Sequence, residues 1–356
     1  MPPRRRRRRW IALVVVAALF GVAVLGAAVV EVPYVALRPG STRPVTEQVL
    51  VEGAPSYPPQ ESIAYTTVSI GPTTLFEALA GWLDDDVDVV PEAAVRQGRS
   101  DAENRRYNAQ LMDTSKLTAI AVALERLGED VDITTTGTIV RRLYEGTPAE
   151  DVLQIDDVIV AVDGEPIDEI EEVRDLLQVG GPGATHTLTV ERPPGSDTLV
   201  DVEITTIPAS DDEPDRAVIG IAPEDRIVDF EFPFDVTIDS GNVGGPSAGL
   251  AFTLAVLDVL TPGELTAGHK VAVTGTIQLD GRVGPIGGGA QKAITVRDSG
   301  YEVFLVPSAE LEEVREAVGD DVRVIGVDTL DEALEALDSL GGNAGSLLAG
   351  AAGSGP

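Results

Sequence analysis

Two short segments hold the residue types that acyl transfer needs. The first is Ser240-Gly241-Asn242-Val243-Gly244-Gly245-Pro246-Ser247-Ala248-Gly249. An alternating stretch over 234–239 predicts a strand before it, and the apolar run 250–260 predicts a buried helix after it. That order puts Ser247 in the first helical turn, beside Pro246. Free backbone N–H groups at a helix start favour negative charge, so an oxyanion would be stabilised there. Gly245 and Pro246 mark the candidate oxyanion site, glycine letting backbone approach a substrate carbonyl closely. The plain alternative is a serine that only caps its helix.

A serine hydroxyl needs a base. The string Gly245-Pro246-Ser247-Ala248-Gly249 also fits the nucleophile elbow of an esterase with an α/β-hydrolase sheet, which would need a later histidine. His269 alone follows, and it reads as a turn residue. Lysine usage points elsewhere. The chain has only Lys116, Lys270 and Lys292, with arginine serving almost everywhere else. Arginine cannot replace lysine where a deprotonated amine is required. Residues 271–277 predict a strand, Asp280-Gly281 a hairpin turn, and the glycine-rich run 283–289 leads into a helix over 290–298. Lys292 falls in that helix's first turn. An unperturbed lysine (pKa ~10.4) is a poor base at neutral pH, but burial and a positive helix end both lower the value. A neutral amine at 292 could take the proton of Ser247 and return it to a leaving amine. Lys270 opens a strand and reads as solvated.

These segments need a scaffold, and 356 residues with 43% hydrophobic content suffice for two folded domains plus an anchor. The first ten residues include six arginines, and 11–30 are twenty uncharged, mostly aliphatic residues. Such a run predicts a transmembrane helix with a cytoplasmic N-terminus and the catalytic domain extracytoplasmic, at the cell membrane; a cleaved signal peptide is the competing reading. The 26 basic residues less those six leave 20 against 59 acidic, a body that would repel nucleic acid. Absence of cysteine excludes disulfides and a thiol nucleophile. No metal site or cofactor is expected; the run Asp84-Asp85-Asp86 with Asp88 lacks a calcium-loop pattern and reads as a solvated helix end.

Residues 31–51 read as a stalk, and 52–124 as a strand and helices packed on the folded domains, including a helix over 115–127. From 125 to 207 short alternating strands surround one helix, with Glu145-Gly146-Thr147-Pro148-Ala149-Glu150 and Asp156-Asp157-Val158-Ile159-Val160-Ala161-Val162-Asp163-Gly164. This pattern resembles a bacterial PDZ domain. The resemblance implies peptide binding by strand addition at an edge near Thr138, Ile139 and Val140; the plain alternative is a packing module. Residues 208–215 read as a linker and 341–356 as a disordered tail.

The catalytic segments, within 216–340, resemble the proteolytic domain of Lon proteases. G-P-S-A-G is intact, and T-G-x-I, then D-G-R-V-G-P-I-G-G, precede Lys292. The resemblance implies Ser247 as nucleophile, Lys292 as general base, and Thr274 orienting the lysine. Gly244 and Thr276 stand where the ATP-dependent family carries acidic residues. No G-x-x-x-x-G-K-[ST] phosphate loop occurs in the sequence. The whole is an α+β chain similar to the PDZ-containing Lon-like proteases of Gram-positive bacteria. That implies ATP-independent cleavage of peptides or unstructured proteins, and a homo-oligomer, a hexamer by resemblance. A non-catalytic peptide-binding scaffold is the rival function.

Overall fold

The computed structural model describes residues 10, 13–16, 18, 21, 26–57, 59, 61, 63–84, 86–96, 98–192, 198–210 and 212–351. The expected membrane helix over 11–30 is described only in pieces, at 13–16, 18, 21 and 26–30. Among the described residues no helix is long and apolar enough to cross a membrane.

The chain opens with β1 (Glu31–Pro44), β2 (Val49–Glu52), β3 (Ala64–Thr74), α1 (Leu75–Gly81), β4 (Asp88–Pro91), α2 (Glu92–Arg96) and α3 (Asp101–Arg126). Next come β5 (Asp132–Leu143), α4 (Pro148–Val152), β6 (Val158–Val162), β7 (Glu165–Pro166), α5 (Ile170–Gln178), β8 (Thr185–Glu191), β9 (Leu199–Thr205), β10 (Ile207–Pro208), β11 (Ala217–Val218) and β12 (Ile221–Glu231). The remainder is β13 (Asp235–Ile238), α6 (Gly249–Leu260), β14 (Val271–Val273), β15 (Thr276–Ile277), β16 (Val283–Gly284), α7 (Gly289–Asp298), β17 (Val303–Pro307), α8 (Leu311–Val318), β18 (Arg323–Val327), α9 (Leu330–Ser339) and α10 (Gly345–Ala351). Two compact units result: Met1–Asp130 with Phe232–Pro356, and Val131–Glu231.

The first unit holds a mixed sheet, ordered β18-β17-β14-β3-β1-β4 among the described residues. β14, β17 and β18 run parallel and β14 pairs β3 in parallel, while β3, β1 and β4 are antiparallel. Parallel neighbours need long crossovers, and α7 and α8 supply two of them. Their apolar sides join Ala272, Phe304 and Val306 in one core through Ala293, Val296, Val314 and Val318. α6 is buried from Gly249 to Val259, as a helix apolar all round must be. Residues 31–51 are therefore no stalk. β1 is a full member of the sheet, and register shifts at Val32/Val35 and Pro39/Thr42 accommodate its prolines. Nor is 52–124 an accessory segment: β3 sits in the middle of the sheet. α3 starts well before residue 115, at a capping box in which the Ser100 hydroxyl accepts from Glu103 N–H and the Glu103 carboxylate accepts from Ser100 N–H. Its second half buries Met112, Ser115 and Thr118–Leu124, and it packs on α6. The tail read as disordered begins with α10, whose first N–H donates to Asp338.

The second unit is a sheet ordered β12-β5-β6-β8-β9, with β7 on β6, over a core that includes Val140, Ile159, Val173, Leu177, Leu188 and Ile204. Residues 208–215 are not a linker, because β10 and β11 pair across them inside this unit. The expected peptide edge is also displaced. Thr138 pairs with both Asp225 and Ile159, Ile139 with Glu224 and Val158, and Val140 with Pro223. These residues lie on an interior strand, its outer side covered by β12 from this same chain. Among the described strands the free edges are β12 and β9.

Candidate active site

Lys292 is the fourth residue of α7, whose N-cap Gly288 takes a left-handed φ of 67° that favours glycine. This places the side chain within the unit at 2% exposure, among its largest buried residues. Its Nζ lies 2.9 Å from Ser247 Oγ and 3.1 Å from Thr274 Oγ1. Thr274 is fully buried and donates its single hydroxyl proton to the Ser247 carbonyl at 3.1 Å. The Lys292–Thr274 bond must then be donated by lysine. A neutral amine has two hydrogens and one lone pair, so one hydrogen serves Thr274 and the lone pair remains for the Ser247 hydroxyl.

Electrostatics favour that neutral form. Burial lowers the Lys292 pKa from 10.5 to about 7, opposed by the Glu310 carboxylate, which raises it. Glu310 accepts the Ile286 N–H through Oε1, at 3.3 Å, while its Oε2 is buried without a hydrogen-bond partner among the described residues. The lysine is thus poised near neutrality, with one acid holding it from falling further.

The serine loop is held from three sides. Gly275, at φ 146°, breaks the expected single strand into β14 and β15, donates to Ser247 O at 2.8 Å and accepts from Leu250 N–H at 3.1 Å. A side chain at Gly275 would meet Val283 at 2.7 Å. From α3, Ser115 Oγ donates to Pro246 O at 3.0 Å, and the Asn108 carbonyl accepts from Gly245 N–H at 2.8 Å. Ser247 precedes the first helical residue, Gly249, by two positions and so stands just outside the helix, not in its first turn.

This geometry corrects the oxyanion assignment. Gly245 spends its N–H on Asn108, and proline has none to give. The N–H groups of Ser247 and Ala248 meet no acceptor among the described residues and are the donors left beside the nucleophile. Gly244 has no room for a side chain, because a Cβ there would meet Asn108 Cβ at 2.9 Å. His269 is half-exposed and bonds Glu302 through Nδ1 at 2.9 Å, with no bond to Ser247 among the described residues. Lys270 is exposed ahead of β14, and Lys116 pairs with Asp113 at 2.9 Å.

Three contributors escape the sequence reading. Ser115 could have been noticed as a polar residue within the buried stripe of α3. Asn108 acts through its backbone and Glu310 lies beyond the lysine motif in an unremarkable acidic stretch, so neither carries a sequence mark.

Fold and site together define a serine-lysine proteolytic domain, in whose chain a small β-rich domain is inserted between α3 and β13. Residues 234–338 match the Lon protease (S16) C-terminal proteolytic domain, and residues 139–192 match the PDZ domain. The chain therefore carries a Lon-type proteolytic domain and a PDZ domain. Similar relatives include the Lon proteases of Campylobacter concisus, 37% identical over 26% of this chain and 12% of that one, and of Lachnoclostridium phytofermentans, 39% identical over 26% and 11%. Lon protease 2 of Bacillus subtilis is 30% identical over 33% of this chain and 20% of its own. The matched region thus spans a small fraction of these relatives' length. Among solved structures, the PDZ domain of an SdrC-like protein from Listeria monocytogenes matches 26% of this chain and 92% of that one, at 23% identity and a TM-score of 0.23, too low to bear on the fold by itself.

Proposed function

We propose that this chain is an ATP-independent serine endopeptidase, anchored in the cell membrane by residues 11–30, that cleaves peptides or unstructured proteins outside the cytoplasm. The observation that carries the catalytic part is the 2.9 Å contact between a buried lysine amine and the Ser247 hydroxyl. Lys292 takes the proton as Ser247 Oγ attacks the scissile carbonyl, and the Ser247 and Ala248 N–H groups receive the oxyanion. The lysine then protonates the departing amine, leaving an acyl-enzyme. Water, deprotonated by the same amine, releases the acid and restores the serine. Thr274 keeps one amine hydrogen occupied, so that the lone pair faces Ser247.

Membrane anchoring is supported by the twenty uncharged residues at 11–30 and their arginine flank, which also favours a cytoplasmic N-terminus. ATP independence is supported by the lack of a phosphate-loop string in this sequence. In the PDZ unit, strand addition would use the outer edge of β12, with α5 beside it: Ile170 N–H donates to Asp225 on β12 at 2.7 Å. A hexamer remains part of the proposal by resemblance to Lon-type domains.

The test is hydrolysis of quenched-fluorescent peptides and of an unfolded protein, without nucleotide, by the wild type and by Ser247→Ala, Lys292→Ala and Lys292→Arg. All three variants should be inactive while retaining wild-type circular dichroism. Near wild-type turnover in any of them would refute the dyad. Activity lost in His269→Ala but kept in Lys292→Ala would favour the esterase-like alternative.

A further inference from the structure

α1 buries only two small residues and exposes its large ones. Ala78 and Gly81 are the helix residues facing inward. Phe76 is 55% exposed, Leu79 50%, and, just past the helix, Trp82 57% and Leu83 89%. Leu75, the first residue of the helix, is 42% exposed. A surface helix ordinarily does the reverse, and clustered exposed apolar side chains mark an interaction surface.

The patch is built on a rigid base. Thr74 and Glu77 form a reciprocal capping box at the start of α1. A Cβ on Gly81 would meet Val89 at 2.7 Å, which shows how closely helix and strand approach. The Trp82 ring stands edge-on to Tyr34, with centroids 5.9 Å apart and planes at 86°.

Its position suggests what covers it. The Leu75 N–H donates to the Val30 carbonyl at 3.1 Å, and Glu31 pairs with Thr74. α1 therefore begins where the apolar segment 11–30 ends. A segment that leaves a bilayer at Val30 delivers α1 to the bilayer surface with no intervening linker. Tryptophan beside aliphatic side chains is the composition that settles at the lipid headgroup boundary.

We propose that α1 and the following Trp82-Leu83 dock into the interfacial layer of the membrane, holding the proteolytic unit against the lipid surface. The proposal rests on the anchor reading above. Its chemistry is apolar insertion: Glu77 lies on the helix and Asp84, Asp86 and Asp88 follow it, acids that outnumber Arg38, the arginine acting on Glu77. A zwitterionic surface fits these charges, and an anionic one would oppose them.

The chain's two tryptophans are Trp10 and Trp82, so Trp10→Phe leaves Trp82 as the sole reporter. The full chain carrying this change would be reconstituted into phosphatidylcholine vesicles, floated, and read by tryptophan emission. Docking requires blue-shifted emission, quenching by phosphatidylcholine brominated on its acyl chains, and a severalfold loss of quenching by aqueous iodide. Adding Phe76→Ser, Leu79→Ser and Leu83→Ser should abolish the bromolipid quenching while flotation persists. A floated parent chain whose Trp82 stays open to iodide would overturn the docking and leave the anchor standing. Blue-shifted emission untouched by bromolipid would mean that protein, such as a second copy, covers the patch, and would also overturn it. A chain that does not float would defeat anchor and docking together.

Discussion

Replacing Lys292 with methionine gives a stability signature that only a buried, neutral-prone amine produces. Lys292 falls from 10.5 unfolded to about 7 folded. Between those values the unfolded state holds the proton and the folded state does not, so wild-type stability rises with pH across pH 7 to 10.5. Below pH 7 the cost of the buried charge is fully present, on the order of 5 kcal/mol from 3.5 pKa units at about 1.36 kcal/mol each. Methionine, similar in length and uncharged, removes this titration. It leaves Thr274 and Ser247 without their amine partner, a pH-independent loss of about 1–3 kcal/mol per unsatisfied group. The difference in unfolding free energy, wild type minus Lys292→Met, should therefore rise with pH whatever its offset. The expected gain is about 3 kcal/mol between pH 6 and pH 9. Urea denaturation of both proteins at several pH values, following the transition of the proteolytic unit, measures it. Titrating groups other than Glu310, which acts on Lys292, are shared and cancel in the difference. A difference that stays flat from pH 6 to 9 would show that the amine is not depressed in the fold, and the base assignment would lose its physical ground.

Other outcomes follow from the same contacts. The acid limb of kcat/KM should have a midpoint near pH 7, below which activity falls about tenfold per unit as the amine is protonated. Glu310→Gln removes the charge that raises the Lys292 pKa, so that limb should move to lower pH; an upward shift or no shift would contradict the role given to Glu310. Thr274→Val should cut kcat by about tenfold or more with little change in KM, since a misaligned amine costs at least ~1.4 kcal/mol of barrier, and single-turnover peptide hydrolysis would resolve it. Ser115→Ala frees the Pro246 carbonyl and should lower kcat without moving the pH midpoint, with Ser115→Thr restoring part of the rate; unchanged kcat in the alanine variant would reduce Ser115 to a packing residue.

The paired motifs were readable because the chemistry demands particular side chains close to backbone turns. Ser247, Lys292 and Thr274 are brought together as their motifs imply. The donors beside Ser247 were misassigned because a sequence lists glycines without showing where their N–H groups point; Gly245 is spent on Asn108. β1 was missed because its prolines weaken the local strand pattern, and only pairing with β3 and β4 makes it a strand. The first half of α3 is polar and largely exposed, so periodicity faded there, although Ser100 and Glu103 spelled out its start. The PDZ edge failed for a different reason. β5 looks like an edge until a strand some eighty residues later, β12, returns to cover it, and no local pattern encodes that pairing.

The central claim is an amine at 292 that is largely uncharged at neutral pH beside the Ser247 hydroxyl. Lysine labelled with carbon-13 at Cε gives signals from Lys116, Lys270 and Lys292, and following them by NMR from pH 5 to 11 tests the claim most directly. One signal should titrate with a midpoint near 7 and vanish in Lys292→Arg. If every lysine signal titrates only near the ordinary ~10.4, Lys292 is not the base.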